Sequence, residues 1–394
     1  MDRLILNWLP LTTIHWASPA MSILKSFMES NGYKTKMHEK KNLGVILLEK
    51  DWFDNNITFK FIEEAIEKNI FTFEEYRENE LKPIRLMPVL NIQNNIEMLR
   101  RDYDRSVGEK SLRYLSELTV YVNNSCDLNC VHCDQSYKQF MCCKTDKCRN
   151  EIDVALLTKI VSQTKYVPIE KINIIGGNIF SYPHLEKIPE IFSEKKGCIH
   201  FWSHYKNFQS INQQVNWDII VDFSIDKQIF SNCINSGNKE TMLFHFIVQN
   251  EEEVNLAEET ANNFDIQNFE IHPFYNGKNL DFFKSGIFLN KEDILENITT
   301  QRQIFCNQAL NSNFFGHLII LPNGDVVSNI NTPVLGNINN KTILDLITEE
   351  LDKNYSWLKT RNEPPCNSCL FQYLCPPVSN YEMIFNKPNL CTVN

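Results

Sequence analysis

The sequence has no apolar stretch long enough to cross a membrane and no excess of basic residues. Spanning a bilayer takes about 18 or more consecutive apolar residues, and no apolar run approaches that length. Nucleic-acid binding needs a basic face, whereas these 394 residues carry a formal net charge of −10. The first residues, Met1 to Leu4, lack the charged-then-apolar pattern of a secretory signal. We therefore expect no membrane and no nucleic-acid partner, and a cytoplasmic location.

Cysteine is abundant, and its distribution is uneven. The chain has 13 cysteines, an odd number, and most of them fall in the ranges 126–148 and 366–391. In a reducing compartment such clustering favours metal ligation over a framework of disulfides. Cys198 and Cys233 stand alone and are most simply small buried hydrophobic residues.

The first cysteine group has the spacing C-x3-C-x2-C, formed by Cys126, Cys130 and Cys133 directly after a strand-like run. Three thiolates on one short loop can ligate three irons of a [4Fe-4S] cluster and leave the fourth iron open to a substrate. The alternative is zinc, which needs a fourth ligand in tetrahedral geometry. His132 is the nearest candidate, but between Val131 and Cys133 we expect it to be poorly placed to join the cysteines.

Between residues 117 and 272, short apolar runs alternate with stretches of helical periodicity. Val154, Leu157, Ile160 and Val161 form one such helical face. Alternating strands and helices predict an α/β fold around a parallel sheet, with reactive groups at the carboxyl ends of the strands. The predicted strands are Leu118 to Val122, Lys171 to Ile175, Cys198 to Ser203, Ile219 to Ser224, Met242 to Val248 and Phe269 to His272.

The segment from Ser125 to Cys133 resembles the cluster motif of the radical S-adenosylmethionine (SAM) superfamily, in the form found in peptide-modifying members, which includes His132. The resemblance implies a partial (β/α)6 TIM-like barrel that binds SAM at the open iron of a [4Fe-4S] cluster. The superfamily has a Gly-Gly-Glu type motif after the second strand, and this chain has Gly176, Gly177 and Asn178 there. An amide oxygen still accepts a hydrogen bond from an ammonium group, but the ion pair is lost.

Two further residues are candidates for contact with SAM. Ser224 and Asp226 follow the fourth predicted strand, where the superfamily often contacts the ribose and carboxylate of SAM. A serine or aspartate at this point also suits the cap of a following helix, so both roles stay open.

The C-terminal cysteines have the spacing C-x2-C-x5-C-x15-C, formed by Cys366, Cys369, Cys375 and Cys391. Together with a hairpin predicted from residue 316 to 327 around an Asn-Gly turn, this pattern resembles the SPASM (twitch-like) extension of radical SAM peptide maturases. A four-cysteine zinc site is the alternative, because four thiolates serve either metal.

The C-terminal pattern is incomplete relative to the SPASM family. Asn329 and Ser379 stand where the family has two cysteines, which leaves Cys306 as the remaining ligand of one cluster. The resemblance therefore implies one auxiliary [4Fe-4S] cluster with four protein ligands. Just beyond Cys133, Cys142, Cys143 and Cys148 could supply an extra ligand or a transient thiol, or simply belong to a reducible surface loop.

We predict three domains: residues 1–112, 113–300 as the radical SAM partial barrel, and 301–394 as the SPASM-like domain. In the first, 42–49 suggests a strand and the spacing of Phe59, Ile62, Ile66 and Ile70 a helix. A small α+β module of this kind resembles the leader-recognition element of peptide maturases, which adds the leader as an extra strand.

The resemblance, which extends to SPASM proteins of double-glycine leader systems in Bacteroidales, implies an oxidoreductase. It would cleave SAM reductively and abstract hydrogen from a ribosomally made precursor peptide carrying a leader. An electron donor such as flavodoxin or ferredoxin would be a partner. Two alternatives remain: a catalytically silent scaffold that binds the precursor and a partner maturase, and a radical SAM enzyme acting on a metabolite or a folded protein.

Overall fold

The computed structural model describes residues 107–133, 135–141, 151–211, 215–297 and 299–393. These residues divide between two compact units. Of the described residues, the larger contains 111–293, 310–360 and 377–393, and the smaller contains 107–110, 294–309 and 361–376. Of the module predicted for residues 1–112, residues 1–106 lie outside the described residues, as do Cys142, Cys143 and Cys148. The three predicted domain boundaries stay predictions.

A single sheet organises the larger unit. Its strand order is β6-β5-β4-β3-β2-β1-β7-β8-β9. Strands β1 to β6 are parallel to their neighbours, β7 adds in parallel beside β1, and β8 and β9 follow antiparallel. The strands are β1 (Glu117–Asn123), β2 (Lys171–Gly176), β3 (Ile199–His204), β4 (Asn216–Asp222), β5 (Met242–Val248), β6 (Phe269–Pro273), β7 (His317–Ile320), β8 (Asp325–Val327) and β9 (Gly336–Asn337).

Helices separate most of the parallel strands. They are α1 (Val107–Leu112), α2 (Val154–Thr164), α3 (Ile188–Ile191), α4 (Lys227–Ser236), α5 (Glu251–Asn263), α6 (Leu280–Gly286), α7 (Lys291–Glu296), α8 (Gln301–Ala309), α9 (Ile343–Lys353) and α10 (Asn380–Phe385). The consecutive order of six parallel strands with intervening helices confirms the predicted α/β class with a central parallel sheet. None of the described helices combines the length and apolar character that crossing a bilayer requires.

The predicted strands agree with the structure except at some ends. Strand β5 has the predicted bounds, whereas β4 begins at Asn216 and ends at Asp222 rather than running from Ile219 to Ser224. The start was missed because Asp218, which is completely buried, interrupts the apolar pattern. Ser224 therefore lies beyond the strand, in the loop that leads to α4.

The two faces of the sheet bury different kinds of side chain. On the outer face, alternate strand residues such as Leu118, Val120 and Phe244 pack with apolar residues of α2, α4 and α5 in one large core. On the inner face, a second group, the inner apolar cluster, is fully or nearly fully buried. It consists of Tyr121, Ile175, Trp202, Ile220, Ile247 and Phe274. The sheet is thus covered on both sides, as parallel sheets generally are.

The predicted hairpin at residues 316–327 is present as β7 and β8. Gly324 in its turn has φ of +86°, a conformation that glycine adopts without steric cost. At Gly316, which has φ of +83°, a Cβ atom would lie 2.1 Å from the Tyr114 carbonyl oxygen. The hairpin therefore begins where its backbone packs directly against the segment that leads into β1.

Candidate functional site

The cysteine motif lies on the loop that follows β1, at the carboxyl end of the parallel sheet. Cys130 and Cys133 are each 8% exposed, and the Cys133 N–H donates to the Cys130 carbonyl at 3.0 Å. This turn gathers one donor atom each from Cys130, His132 and Cys133 within 4.8 Å of one another. His132, which we expected to be poorly placed to join the cysteines, lies with its ring beside Cys130 and Cys133. We call residues 124–133 the cysteine loop.

The surroundings of Cys133 lower the pKa of its thiol. A hydrogen bond with Cys130 has the largest effect on the pKa of Cys133, and burial opposes it. The neighbouring His132 and Lys138 add to the lowering, so that the pKa of Cys133 falls to about 5. Because thiolates rather than thiols bind metals, this thiol is prepared for ligation at neutral pH.

Cys126 is more exposed than the other two cysteines of the motif and has a different neighbour. The Asn207 side-chain Nδ2 lies 3.8 Å from Cys126 Sγ, within range of a weak hydrogen bond to sulfur. Asn207 comes just after β3, so the loops after β1 and β3 meet at this sulfur. A donor at a ligand sulfur is one of the means by which proteins tune metal–thiolate centres.

The two glycines at the end of β2 pack closely against the end of β1 and the start of the cysteine loop. A Cβ atom on Gly177 would lie 2.4 Å from the Ser125 carbonyl oxygen, and one on Gly176 would lie 2.4 Å from Asn123 Oδ1. The Asn178 N–H donates to the Ser125 carbonyl at 2.6 Å. Residues without side chains are needed here because the chain after β2 lies directly against the loop after β1.

The other residues predicted to contact SAM make local contacts. Asn178 Oδ1 accepts from the Phe180 N–H at 3.1 Å and so caps the short helical turn at Ile179–Ser181. Asp226 caps α4 by accepting from two backbone N–H groups at 3.0 Å, while Ser224 lies in the loop before it. The capping role that the sequence left open is therefore present for Asp226. The contacts of Gly176, Gly177, Asn178, Ser224, Asp226 and His132 with SAM stay predictions.

Sequence reasoning missed a charged group at the carboxyl ends of β3 and β4. His204 Nε2 lies 3.1 Å from Asp222 Oδ1, and Lys206 Nζ lies 3.3 Å from the same oxygen. Donor atoms of Cys130, His204 and Asp222 fall within 4.8 Å of one another, so the group borders the cysteine loop. The available signal was the position of His204 and Asp222 as the last residues of two neighbouring parallel strands.

Sequence reasoning also missed how the segment after the cysteine loop is fastened. We call residues 135–141 the covering segment. Asn331 accepts from the Lys138 backbone N–H at 2.7 Å and donates to its carbonyl at 2.8 Å. The Gln139 side chain likewise donates to the Tyr275 carbonyl and accepts from the Tyr275 N–H, both at 2.7 Å.

These bonds place the covering segment over the inner apolar cluster. Phe140 and Met141 pack against that cluster, and the Phe140 ring lies 5.4 Å from the His132 ring. The Lys138 ammonium group donates to the Cys133 carbonyl. The covering segment therefore shields the inner face of the sheet beside the cysteine loop.

The C-terminal cysteines lie in both units. Cys366, Cys369 and Cys375 belong to the smaller unit, as does Cys306, whereas Cys391 belongs to the larger. Within the smaller unit, Cys366 begins a short helical turn, and Cys369 Sγ accepts from the Phe371 N–H at 3.4 Å. The Cys375 carbonyl accepts from Asn307 of α8 at 3.1 Å. Their ligation of an auxiliary cluster or of zinc stays a prediction.

The chain matches no protein-family model and no curated protein sequence. Solved structures that it resembles include SuiB from Streptococcus suis, with 13% identity and a TM-score of 0.47, covering 88% of this chain and 94% of that one. SuiB bound to S-adenosylmethionine is 12% identical, with a TM-score of 0.44 over 87% of this chain and 92% of that one. Native anSMEcpe with bound AdoMet is 14% identical, with a TM-score of 0.42 over 66% and 88%. At these low values the similarities do not assign an activity.

Proposed function

We propose that this protein is a radical SAM enzyme. The observation that supports the proposal is the cysteine loop itself: the C-x3-C-x2-C motif lies at the carboxyl end of the first parallel strand, with Cys130 and Cys133 buried together. In folds built on parallel strands this end of the sheet is where catalytic groups collect. The pKa of about 5 at Cys133 adds a thiolate ready to bind iron at neutral pH.

The donor set fits a cluster with one open iron. Cys126, Cys130 and Cys133 would hold three irons through sulfur, which is the ligand that iron–sulfur clusters use. With SAM at the remaining iron, the cofactors would supply a radical able to abstract hydrogen from an unactivated C–H bond.

The chain's own residues would position and protect this centre. The bare backbone at Gly177 lets the chain after β2 brace the cysteine loop at Ser125. Asp222, paired with His204 and Lys206, sets a negative charge beside Cys130. The covering segment closes one side of the site and would exclude water through Phe140 and Met141.

As substrate we propose a ribosomally made precursor peptide with a leader, with reducing electrons from a flavodoxin or ferredoxin. This finer proposal rests on the SPASM-like spacing of Cys366, Cys369, Cys375 and Cys391, because that pattern accompanies peptide maturation in the family it resembles. Those four cysteines would hold one auxiliary [4Fe-4S] cluster. With every iron ligated by protein, such a cluster would transfer electrons or stabilise its domain rather than bind substrate.

The test is anaerobic purification and reconstitution of the full chain, followed by metal, sulfide and EPR analysis. We expect iron and sulfide for two clusters and SAM-dependent release of 5′-deoxyadenosine. The Cys130→Ala variant should lose that release, whereas Cys198→Ala, which changes a cysteine outside both motifs, should keep it. Zinc in place of iron, or precursor binding without SAM cleavage in the iron-loaded protein, would overturn the proposal.

The substrate is tested separately by co-expression with short precursor peptides encoded beside the gene. A mass change in a peptide that depends on Cys130 supports peptide maturation, and a loss of two hydrogens indicates a cross-link. SAM cleavage in vitro with unchanged peptides would leave the radical SAM proposal standing and remove the peptide substrate.

A further inference from the structure

A group of ionisable side chains lies on the inner face of the sheet, on residues that play no part in the proposed reaction. We call it the polar layer, and it is formed by Lys171 of β2, His200 of β3, Asp218 of β4, His245 of β5, and Glu270 and His272 of β6. Neighbouring parallel strands bring these residues together, since His245 pairs in register with Glu270 and Asp218 with Leu243. Their separation in sequence hides the group from any local motif.

Three atoms of the polar layer converge on one point. His245 Nδ1 lies 2.9 Å from His272 Nε2. Glu270 Oε2 lies 3.5 Å from His245 Nδ1 and 3.3 Å from His272 Nε2. Two imidazole nitrogens and one carboxylate oxygen thus form a small triangle.

The size of this triangle is that of a face of a metal coordination sphere. Zinc binds nitrogen and oxygen at about 2.0–2.2 Å, which places tetrahedral ligand atoms about 3.4 Å apart and octahedral ones about 3.0 Å apart. The three observed distances, 2.9, 3.3 and 3.5 Å, lie around both values. Two histidines and one carboxylate are also a recurrent ligand set for zinc and for non-haem iron(II).

A second observation concerns the far side of the His245 ring. His245 Nε2 lies 2.9 Å from Asp218 Oδ1, and the Asp218 side chain is completely buried. Asp218 Oδ2 is hydrogen-bonded to His200 Nδ1 at 2.7 Å. A carboxylate that accepts from one ring nitrogen fixes the tautomer and turns the other nitrogen toward a metal, an arrangement found behind most metal-binding histidines.

The same arrangement leaves electron-rich atoms facing one another. With its proton on Nε2, His245 presents a lone pair at Nδ1, and the Glu270 carboxylate oxygen is 3.5 Å away. The third atom, His272 Nε2, lies 2.9 Å from His245 Nδ1. A metal ion would bind all three atoms at once, whereas in a metal-free site a proton on His272 Nε2, or a second proton on His245, would take its place. The stacked Trp202 ring, 4.5 Å from the His245 ring, restricts any reorientation that would separate them.

We propose that His245, His272 and Glu270 form a binding site for a divalent transition-metal ion of the zinc or iron(II) type. The site lies within the strands rather than in the loops at their carboxyl ends, and it does not use the cysteines. The side chain of Glu270 is 55% exposed and that of His272 28%, so the remaining coordination positions face solvent and are open to water or a small ligand.

The test is titration of the full chain with Co²⁺ under anaerobic conditions, after its iron–sulfur centres have been loaded. Cobalt bound by nitrogen and oxygen gives visible d–d absorption without the near-ultraviolet charge-transfer band that thiolate ligands produce. We expect one such site in the unaltered protein. Glu270→Gln and His272→Gln should weaken binding by more than about tenfold, since each removes a direct ligand. His184→Gln, which changes a histidine outside the polar layer, should bind as the unaltered protein does.

The variants are chosen so that the loss of a metal ligand can be distinguished from the loss of the fold. Glu270 is more than half exposed, so Glu270→Gln should keep the circular dichroism spectrum and the thermal midpoint measured without Co²⁺. Co²⁺ should raise the thermal midpoint of the unaltered protein and of His184→Gln but not that of Glu270→Gln, because binding to the native state stabilises it. Two results would overturn the proposal: no Co²⁺ d–d absorption without a thiolate band, or equal Co²⁺ binding by the unaltered protein and the three variants. Either result would mean that the triangle holds only a proton.

The metal is identified by competition. If the Co²⁺ form shows the strong d–d bands of four-coordinate cobalt and Zn²⁺ displaces the Co²⁺, the site is a zinc site. Weak six-coordinate bands with displacement by Fe²⁺ would assign an iron(II) site. Either result supports the proposed site and decides its occupant.

Discussion

Asn329 donates a hydrogen bond from its Nδ2 to Asn380 Oδ1 at 2.8 Å. Asn329 occupies one of the two positions at which the SPASM-like pattern has cysteine, and the other, Ser379, precedes Asn380 directly. Ser379 caps α10 in a reciprocal capping box with Glu382. Asn329 is therefore hydrogen-bonded to the residue that follows Ser379, and Ser379 is held by its own capping box, so both positions have polar contacts in place of metal ligation.

Replacing Asn329 by alanine should destabilise the protein by about 1–3 kcal/mol. The side chain is 4% exposed, and its Oδ1 also accepts from the Asn331 N–H at 2.8 Å, so the change leaves buried polar groups without partners. Denaturant unfolding measures the difference. Asn262→Ala, which changes an exposed position on α5, should alter the free energy of unfolding by less than about 0.5 kcal/mol. Equal effects of the two changes would show that the Asn329 bonds contribute nothing.

Gly177→Ala should impair metal loading of the cysteine loop. The added Cβ would lie 2.4 Å from the Ser125 carbonyl oxygen, so the loop must shift, and such overpacking costs about 1–3 kcal/mol. The iron content after reconstitution and the free energy of unfolding are the measurements. Gly286→Ala is the matched control, because a Cβ there meets no atom within 4 Å. Full iron loading in Gly177→Ala would contradict the bracing role.

Gln139→Ala should loosen the covering segment. The buried Gln139 side chain holds the Tyr275 backbone in both directions at 2.7 Å, and its removal leaves two backbone groups without these bonds. We expect faster amide hydrogen exchange in residues 135–141 and about 1–3 kcal/mol lower stability. Gln135→Ala is the control from the same segment, since its bond to the Val131 carbonyl is a longer, exposed one of 3.3 Å. Unchanged exchange in Gln139→Ala would show that the segment is held by its apolar contacts alone.

The sheet was predictable because its signals are local. Strands such as β5 show a nearly continuous apolar run, and the hairpin of β7 and β8 has an Asn-Gly turn. The cysteine loop was equally visible, since its three ligand candidates lie within eight residues.

The contacts around the site could not be predicted, because they join segments far apart in sequence. Lys138 meets Asn331 across 193 residues, and Gln139 meets Tyr275 across 136. The polar layer gave only a weak signal, namely polar residues that alternate with apolar ones along a strand, such as Asp218 in β4 and Glu270 and His272 in β6. Such a residue shows that a strand has a polar inner side but not which other strands supply its partners. Gly176 and Gly177 were recognised, but their close approach to Asn123 and Ser125 is revealed only by the pairing of β1 with β2.

The pair formed by His204 and Asp222 should make the free energy of unfolding depend on pH in the acidic range. Burial alone would raise the pKa of Asp222, but contact with His204 and the charge of Lys206 outweigh it and lower the pKa to about 2. An aspartate has a pKa of about 3.9 in the unfolded chain, so its stabilising effect is complete above that value and is lost as the pH falls toward 2.

Asp222→Asn should therefore lower the free energy of unfolding at neutral pH by about 1–2 kcal/mol and flatten its decrease between about pH 4 and pH 2. Denaturant unfolding across this range provides the measurement, with Asp281→Asn as control because the Asp281 side chain is fully exposed. The unaltered protein and the control should lose stability in parallel as the pH falls. If the free energy of unfolding of Asp222→Asn has the same pH dependence as that of the unaltered protein and the control, the charge of Asp222 does not stabilise the folded state. Its contacts with His204 and Lys206 would then contribute nothing to stability.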